Sequence, residues 1–483
     1  MINKLPDLTK DINSDAPFEK CALGREPYAE LLTQIVKNTE KGVISLNGGW
    51  GTGKTTFVRM WEAYLNQRGF TTIYFNVWDN DYSVDPIISL MSQLFKVFKK
   101  DKQKKSFASI LSSFGKITLN VAKPIAKGAI KKLSGVNLDE VVDGLQGASE
   151  VAIDEVASLG EKLLDRVSEE HKNLEDFKKA LESIVSSTSS ESDSSDYISP
   201  KPIVCFMDEL DRCNPQYAVL VLERIKHVFS VPGIVFVLSV DKKQFGNAVR
   251  GYYGSNLIDA DEYLRRFIDL DLNLPKITSD KFWDYLYQSF DFNSVFSKRT
   301  GDDIRRENNN FQEVGKLLMS YSSLTLRQAE KIMSHLHLVL STLSYSHHFT
   351  ATIFLILLYI RATNSDFYDN ILRKEYTLQE FITELERVFK NLLEKREHDS
   401  ISVRILTFSL AEIVCMYNTD RYGMQHEKIV DDSDKERKLL VHLNIIPEED
   451  FLDALNWPDM RFRGRIPSID TITSKIELVN SFL

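Results

Sequence analysis

Eight residues, Gly48-Gly49-Trp50-Gly51-Thr52-Gly53-Lys54-Thr55, restrict the fold of this chain more than any other stretch. They fit the spacing G-x-x-x-x-G-K-[ST]. Glycines in such a loop let successive backbone N–H groups face inward, and a helix that follows adds its positive N-terminal end. The result is a nest for a polyphosphate. Lys54 is expected to reach the β and γ phosphates and the Thr55 hydroxyl to ligate Mg²⁺. Thr56 is counted with them in the nucleotide-binding set. The spacing alone arises by chance in roughly one or two chains per hundred of this length, so its surroundings matter. Before it lies VISLNG, a short apolar run. After it come TTFVRMWEAYLNQRG, apolar at helical spacing and closed by Gly69, and then TTIYFNVW, rich in β-branched and aromatic residues. Strand, helix and strand in that order predict a parallel βαβ unit.

Further along, PIVCFMDE (202–209) and GIVFVLSVD (233–241) are continuous apolar runs, as strands buried on both faces require. PQYAVLVLERIKHVFS (215–230) reads as the helix between them, YAELLTQIVKNTE (28–40) as a helix before the loop, and FIDLDLNLP (267–275) as a fifth strand. Asp208 ends the first of these runs and Glu209 follows. Asp208 is expected to hold Mg²⁺, largely through water, and Glu209 to orient and deprotonate the attacking water. No NKxD-type guanine reader is found, so the pair favours ATP and its hydrolysis. Asp211 and Arg212 either form a surface ion pair or brace the site. Ser239 and Asp241 end the next strand: a polar residue there either senses the γ phosphate or, in the case of Asp241, caps the next helix. Of Arg265 and Arg266, Arg266 is taken as the positive charge for a developing γ phosphate, in cis or toward a neighbouring subunit. The alternative is a solvated helix end. Arg327 is a candidate nucleotide contact from a C-terminal helical region.

Composition narrows the classes. A 43% hydrophobic content supports sizeable cores, and a net charge of −9 argues against a dedicated nucleic-acid coat. Four dispersed cysteines without a CxxC pair suit a reducing cytoplasm and exclude a disulfide scaffold. The nine histidines show no HExxH spacing, and no GxSxG is present. The polar N-terminus carries no secretory signal, and TATIFLILLYIR (350–361) is too short to cross a bilayer, so no transmembrane segment is expected.

Residues 96–132 hold eleven lysines and one acid, Asp101, for a charge of +10, whereas 133–200 hold sixteen acids and five bases, for −11. Both halves have helical apolar spacing, and SSTSSESDSSD (186–196) reads as a linker. The basic part either pairs with the acidic helices or docks on a membrane surface, on nucleic acid or on a protein. Beyond 276 the pattern is helical, with 366–400 strongly amphipathic and helical. The expected organisation is residues 1–95 as the first part of an NTPase core, 96–200 as a helical insertion, 201–275 as the second part of the core, and 276–483 as a helical C-terminal domain.

Together these residues resemble the KAP family of P-loop NTPases over about residues 12–340. The marks are Asp15-Ala16-Pro17 with Leu23-Gly24-Arg25 and Tyr28-Ala29, the loop GGWGTGKTTF with its unusual Trp50, and Asn76-Val77-Trp78. They continue with Asp208-Glu209-Leu210-Asp211-Arg212-Cys213, where Glu209 stands in place of a common aspartate, then Asp241, Tyr263-Leu264 and Thr325-Leu326-Arg327-Gln328. The resemblance implies an α/β core of the ASCE type, a parallel sheet with a long helical insertion, and an all-helical C-terminal region. In many members the insertion carries transmembrane helices; here Lys116, Lys123 and Lys127 interrupt it. Bacterial members are associated with excluding phage. Two readings follow. One is an Mg²⁺-dependent ATPase switch, acting in a homo-oligomer or with a protein partner through the insertion and C-terminal domain. The other is a nucleotide-regulated scaffold with little turnover.

Overall fold

A computed structural model describes residues 9–10, 12–82, 201–275, 279–299, 302–321, 324–343, 350–394, 400–423, 427–431, 438–455 and 468–480, with short helical pieces between 86 and 185. The basic segment 96–132 and its pairing or docking lie outside the described residues. The chain divides into two compact units, with the boundary between Pro275 and Lys276.

The N-terminal unit is built on a parallel sheet. Its elements are α1 (Glu26–Lys37), β1 (Gly42–Asn47), α2 (Lys54–Gln67), β2 (Thr72–Asn76), β3 (Ile203–Asp208), α3 (Pro215–His227), β4 (Ile234–Val240), α4 (Lys242–Tyr253), α5 (Ala260–Arg265) and β5 (Leu270–Asn273). The spatial order is β2-β3-β4-β1-β5, and every neighbouring pair is parallel. β4 therefore stands between the strand that precedes the glycine loop and the strand that ends in Asp208. This is the extra-strand arrangement expected of an ASCE-type core.

β3 and β4 are buried along their whole length, because helices cover both faces; their polar residues, Asp208 and Ser239, come only near the C-terminal ends. Alternate residues serve opposite cores. Ile203, Cys205 and Met207 join α3 and α4 on one face, whereas Val204 and Phe206 meet Phe57, Trp61, Tyr64 and Leu65 of α2 on the other. Trp61 sits edge-on to Phe206 at 5.2 Å and donates its indole N–H to Thr33. Each such large side chain contributes on the order of 2–3 kcal/mol by leaving water. Phe177, Leu181 and Val185, from the acidic half of the insertion, belong to the α3/α4 core, with Phe177 edge-on to Phe229 at 6.0 Å. That end of the insertion is thus part of the sheet's packing.

The C-terminal unit holds α6 (Ser279–Ser289), α7 (Phe292–Ser297), α8 (Asp302–Tyr321), α9 (Leu326–Thr342), α10 (Ala351–Thr363), α11 (Ser365–Arg373), α12 (Leu378–Leu393), α13 (Ser400–Tyr422), α14 (Glu448–Leu455) and α15 (Ile469–Asn480). One antiparallel pair, β6 (Val430–Asp431) with β7 (Lys438–Leu439), makes it mostly helical where an all-helical region is expected. The amphipathic helical stretch 366–400 is divided between two helices, α11 and α12. Lys374 adopts a left-handed conformation at φ 56, and a Thr377–Glu380 capping box then restarts the chain. Residues Ala351 to Ile360 of α10 are all buried, so its apolar surface goes right round. Among the described residues one stretch, Ile401–Tyr422 in α13, is long and apolar enough to cross a bilayer; 78% of its apolar window is buried within the protein.

α8 passes α6 closely enough that a Cβ on Gly315 would fall inside the Trp283 ring, itself fully buried. Gly315→Ala gains about 1 kcal/mol of helix propensity but overpacks this contact by about 1–3 kcal/mol. The expected outcome is a lower apparent Tm in a thermal melt.

Candidate functional site

A parallel strand buried on both faces meets water at its ends, and in sheets of this kind ligands sit at the C-terminal edge. Asn76, Asp208 and Ser239 are lateral neighbours there, on β2, β3 and β4. The glycine loop leaves β1 beside them, its Gly48 N–H donating to the Val240 carbonyl at 3.1 Å. Gly53 enters α2 at φ 79, a left-handed conformation that suits glycine. A Cβ on Gly48 would press on Thr52 Oγ1 at 3.0 Å and Lys54 Cγ at 3.3 Å.

A cavity of about 150 Å³ opens at this edge. The loop side is formed by Gly49, Gly51, Gly53, Lys54 and Thr55, and the opposite side by Asp208, Glu209, Asp211 and Arg212. The structure thus brings together the two groups of residues that the sequence singles out separately. Lys54 is only 9% exposed, and its Nζ donates to the carbonyls of Gly48 at 2.6 Å and Gly49 at 3.2 Å. Burial lowers its pKa, opposed by the charges of Asp211, Asp241 and Asp208.

Asp208 is 1% exposed. Its Oδ1 accepts the Glu209 N–H at 3.0 Å and its Oδ2 accepts the Tyr74 hydroxyl at 3.0 Å. Burial, then the charge of Asp208, pushes the Tyr74 hydroxyl's pKa far up, so that it stays a donor. Glu209 is non-glycine yet left-handed, at φ 61, a conformation that costs roughly 1–2 kcal/mol. It starts the 3₁₀ turn Leu210–Arg212. One carboxylate oxygen pairs with Arg212 at 2.8 Å and the other accepts from Asn76 at 3.3 Å. Burial raises its pKa, while the Arg212 charge opposes the rise. Asp211 takes the Trp50 indole N–H at 2.6 Å. Of the two alternatives for Asp211 and Arg212, bracing the site describes these contacts.

For a divalent cation the donors are hard oxygens, the Asp208 carboxylate and the Thr55 hydroxyl. No group of three or more His, Cys, Asp or Glu side chains forms a cage among the described residues. A cation held by two protein oxygens keeps the rest of its shell from water and phosphate, which suits Mg²⁺.

The other sequence candidates do not line the cavity. Asp241 spends its carboxylate on the N–H groups of Lys243 and Gln244 and so caps α4. Ser239 is fully buried, and its hydroxyl has no hydrogen-bond partner among the described residues. Arg266 is exposed at the end of α5 and does not line the cavity. Arg327 is exposed near the start of α9 in the C-terminal unit, where Thr325 and Gln328 form a capping box. Trp50 and Thr52 belong to the loop without lining the cavity, and Thr56 lies in the first turn of α2.

Four residues gain a place that spacing does not reveal. Asn76 and Tyr74 hold the two carboxylates. Asn47 accepts from the Lys242 N–H at 3.1 Å and donates to Asn273. Arg25, 4% exposed, donates to the loop carbonyl of Thr52 at 3.1 Å and to Pro275 at 3.3 Å, and burial lowers its pKa to about 10. The available signal is a polar residue ending or preceding a buried apolar run.

The family model described as "KAP family P-loop domain" matches residues 25–343. No curated protein matches. Among solved structures, a point mutant of RuvB from Thermotoga maritima aligns at 12% identity and a TM-score of 0.29, covering 81% of this chain and 91% of that one. At that TM-score the likeness carries no argument.

The raised pKa of Glu209 gives a stability test. Above it, Glu209 is ionised folded and unfolded, and the fold bears the full desolvation. As pH falls through the raised value, the folded state takes up the proton first and the penalty fades. Glu209→Gln is therefore expected to melt above the unsubstituted protein at pH 7.5, with the gap narrowing toward the ordinary carboxylate range. A gap that widened on acidification would contradict this assignment.

Proposed function

The chain belongs to the KAP family of P-loop domains, and on that premise we propose that it is an ATPase switch that works with Mg²⁺. One observation carries the reading: Asp208 and Glu209 line the same cavity as Lys54 and Thr55. A bare anion site needs the loop and the lysine. Placing a cation-binding carboxylate opposite them, with a second one whose pKa burial raises, suits hydrolysis.

In this reading Gly49 to Thr55 wrap the phosphates with backbone N–H groups, and Lys54 turns its ammonium from the Gly48 and Gly49 carbonyls to the β and γ oxygens. Thr55 and Asp208 hold Mg²⁺, which when bound neutralises charge on those oxygens. Tyr74 keeps Asp208 pointed. Glu209 accepts the proton of the attacking water, and its raised pKa improves it as a base provided the pH exceeds that value. Arg212 and Asn76 orient it. Absence of a guanine reader favours ATP. Arg266, outside this cavity, suits action on the site of a second copy, which makes a homo-oligomer part of the proposal. Four free thiols support a cytoplasmic setting. The phage-exclusion setting rests on family resemblance alone; lower plating efficiency on cells carrying the protein, restored by Lys54→Ala, is its test.

Phosphate release separates this reading from the scaffold. Glu209→Gln is expected to lose about 100-fold or more in kcat while retaining ATP affinity by calorimetry, and Lys54→Ala to lose binding. Equal, near-zero release from the unsubstituted protein and Glu209→Gln leaves the scaffold reading standing.

A further inference from the structure

The spacing of a phosphate loop leaves its third position free, so an indole there needs its own reason. Trp50 sits between two glycines, and its side chain remains 49% exposed. Its ring nitrogen nevertheless donates to Asp211 Oδ2 at 2.6 Å, across 161 residues of chain. A short bond to a carboxylate is among the stronger kinds. Asp211 is 8% exposed and faces the cavity. There it is the first charge felt by Lys54.

What Asp211 belongs to matters more. It is the middle residue of the 3₁₀ turn that begins at Glu209. The Arg212 N–H returns to the Glu209 carbonyl at 3.1 Å, and the Arg212 side chain pairs with the Glu209 carboxylate at 2.8 Å. The Arg212 guanidinium also lies 5.7 Å from the centre of the Trp78 ring, just after Asn76. Glu209 to Arg212 is therefore bonded within its own turn, and Trp50 ties that turn to the glycine loop.

Resting on the ATPase reading above, we propose that Trp50 is a positioning residue: its bond to Asp211 latches the phosphate loop to the turn bearing Glu209, so that filling the loop sets the placement of the water-activating carboxylate. Neither Trp50 nor Asp211 takes part in the chemistry. The latch makes turnover depend on how the loop is filled, and a ligand that fails to draw the loop in is not cleaved.

Trp50→Phe keeps a ring and removes the donor; Asp211→Ala removes the acceptor. Without nucleotide, each is expected to speed amide hydrogen exchange at 209–213 about ten-fold, and the double variant to match either single one. Unchanged exchange, or additive effects in the double variant, overturns the latch whether or not the protein hydrolyses ATP. With ATP and Mg²⁺, Trp50→Phe is expected to lower kcat about ten-fold and leave KM within about two-fold. Loss confined to KM overturns the latch and makes Trp50 a binding residue only. If the unsubstituted protein neither binds nor cleaves ATP, the ATPase reading fails, while the exchange measurement still decides whether loop and turn are joined.

Discussion

Two acids in different surroundings stand side by side at the end of β3, and the groups around them follow from holding two neighbouring carboxylates at one edge. Asp208 is buried in a parallel sheet beside Glu209, so two like charges share one desolvated edge. Hydrogen bonds from Tyr74 and from the Glu209 backbone satisfy Asp208, whereas Glu209 leans on Arg212 and Asn76. Each carboxylate is thereby matched by donors at an edge where water is partly excluded. The left-handed backbone of Glu209 follows from the same need. It turns the second acid away from the strand direction and into the cavity, a local cost that sheet packing on both faces absorbs.

Sheet order gives the site its width. With β4 between β1 and β3, the loop and the acids come from strands that are not adjacent. A cavity opens where strands touching directly would leave a crevice. Trp50 spans the gap from the loop to Asp211, whereas Arg212 reaches back over its own turn to Glu209. Arg25 works on the far side of the loop, joining Thr52 to Pro275 at the end of the N-terminal unit. Loop geometry is thereby connected both to the acids and to the last residue before the C-terminal unit.

Much of the fold is legible from periodicity. The continuous runs at 202–209 and 233–241 become β3 and β4 because strands buried on both faces are apolar along most of their length, with Asp208 and Ser239 only near the C-terminal ends. The loop and the Asp208-Glu209 pair are legible because main-chain nests and strand-end carboxylates depend on local spacing. Less legible are breaks decided by single residues. The split of 366–400 at Lys374 needs one left-handed residue and a capping box, whereas the amphipathic pattern runs on through it. Phe177, Leu181 and Val185 look like one face of an acidic helix, and only packing against Phe229 assigns that face to the sheet.

The phosphate loop, the strands, the acid pair and the family marks are each written within a few neighbouring residues, so local order along the chain suffices for them. The long-range partnerships come from folding alone: Tyr74 with Asp208 across 134 residues, Asn76 with Glu209 across 133, and Trp50 with Asp211 across 161. No periodicity encodes such pairs. They arise when parallel pairing sets β2 beside β3, bringing Asn76 level with Asp208, and when β1 leaves the sheet two strands away.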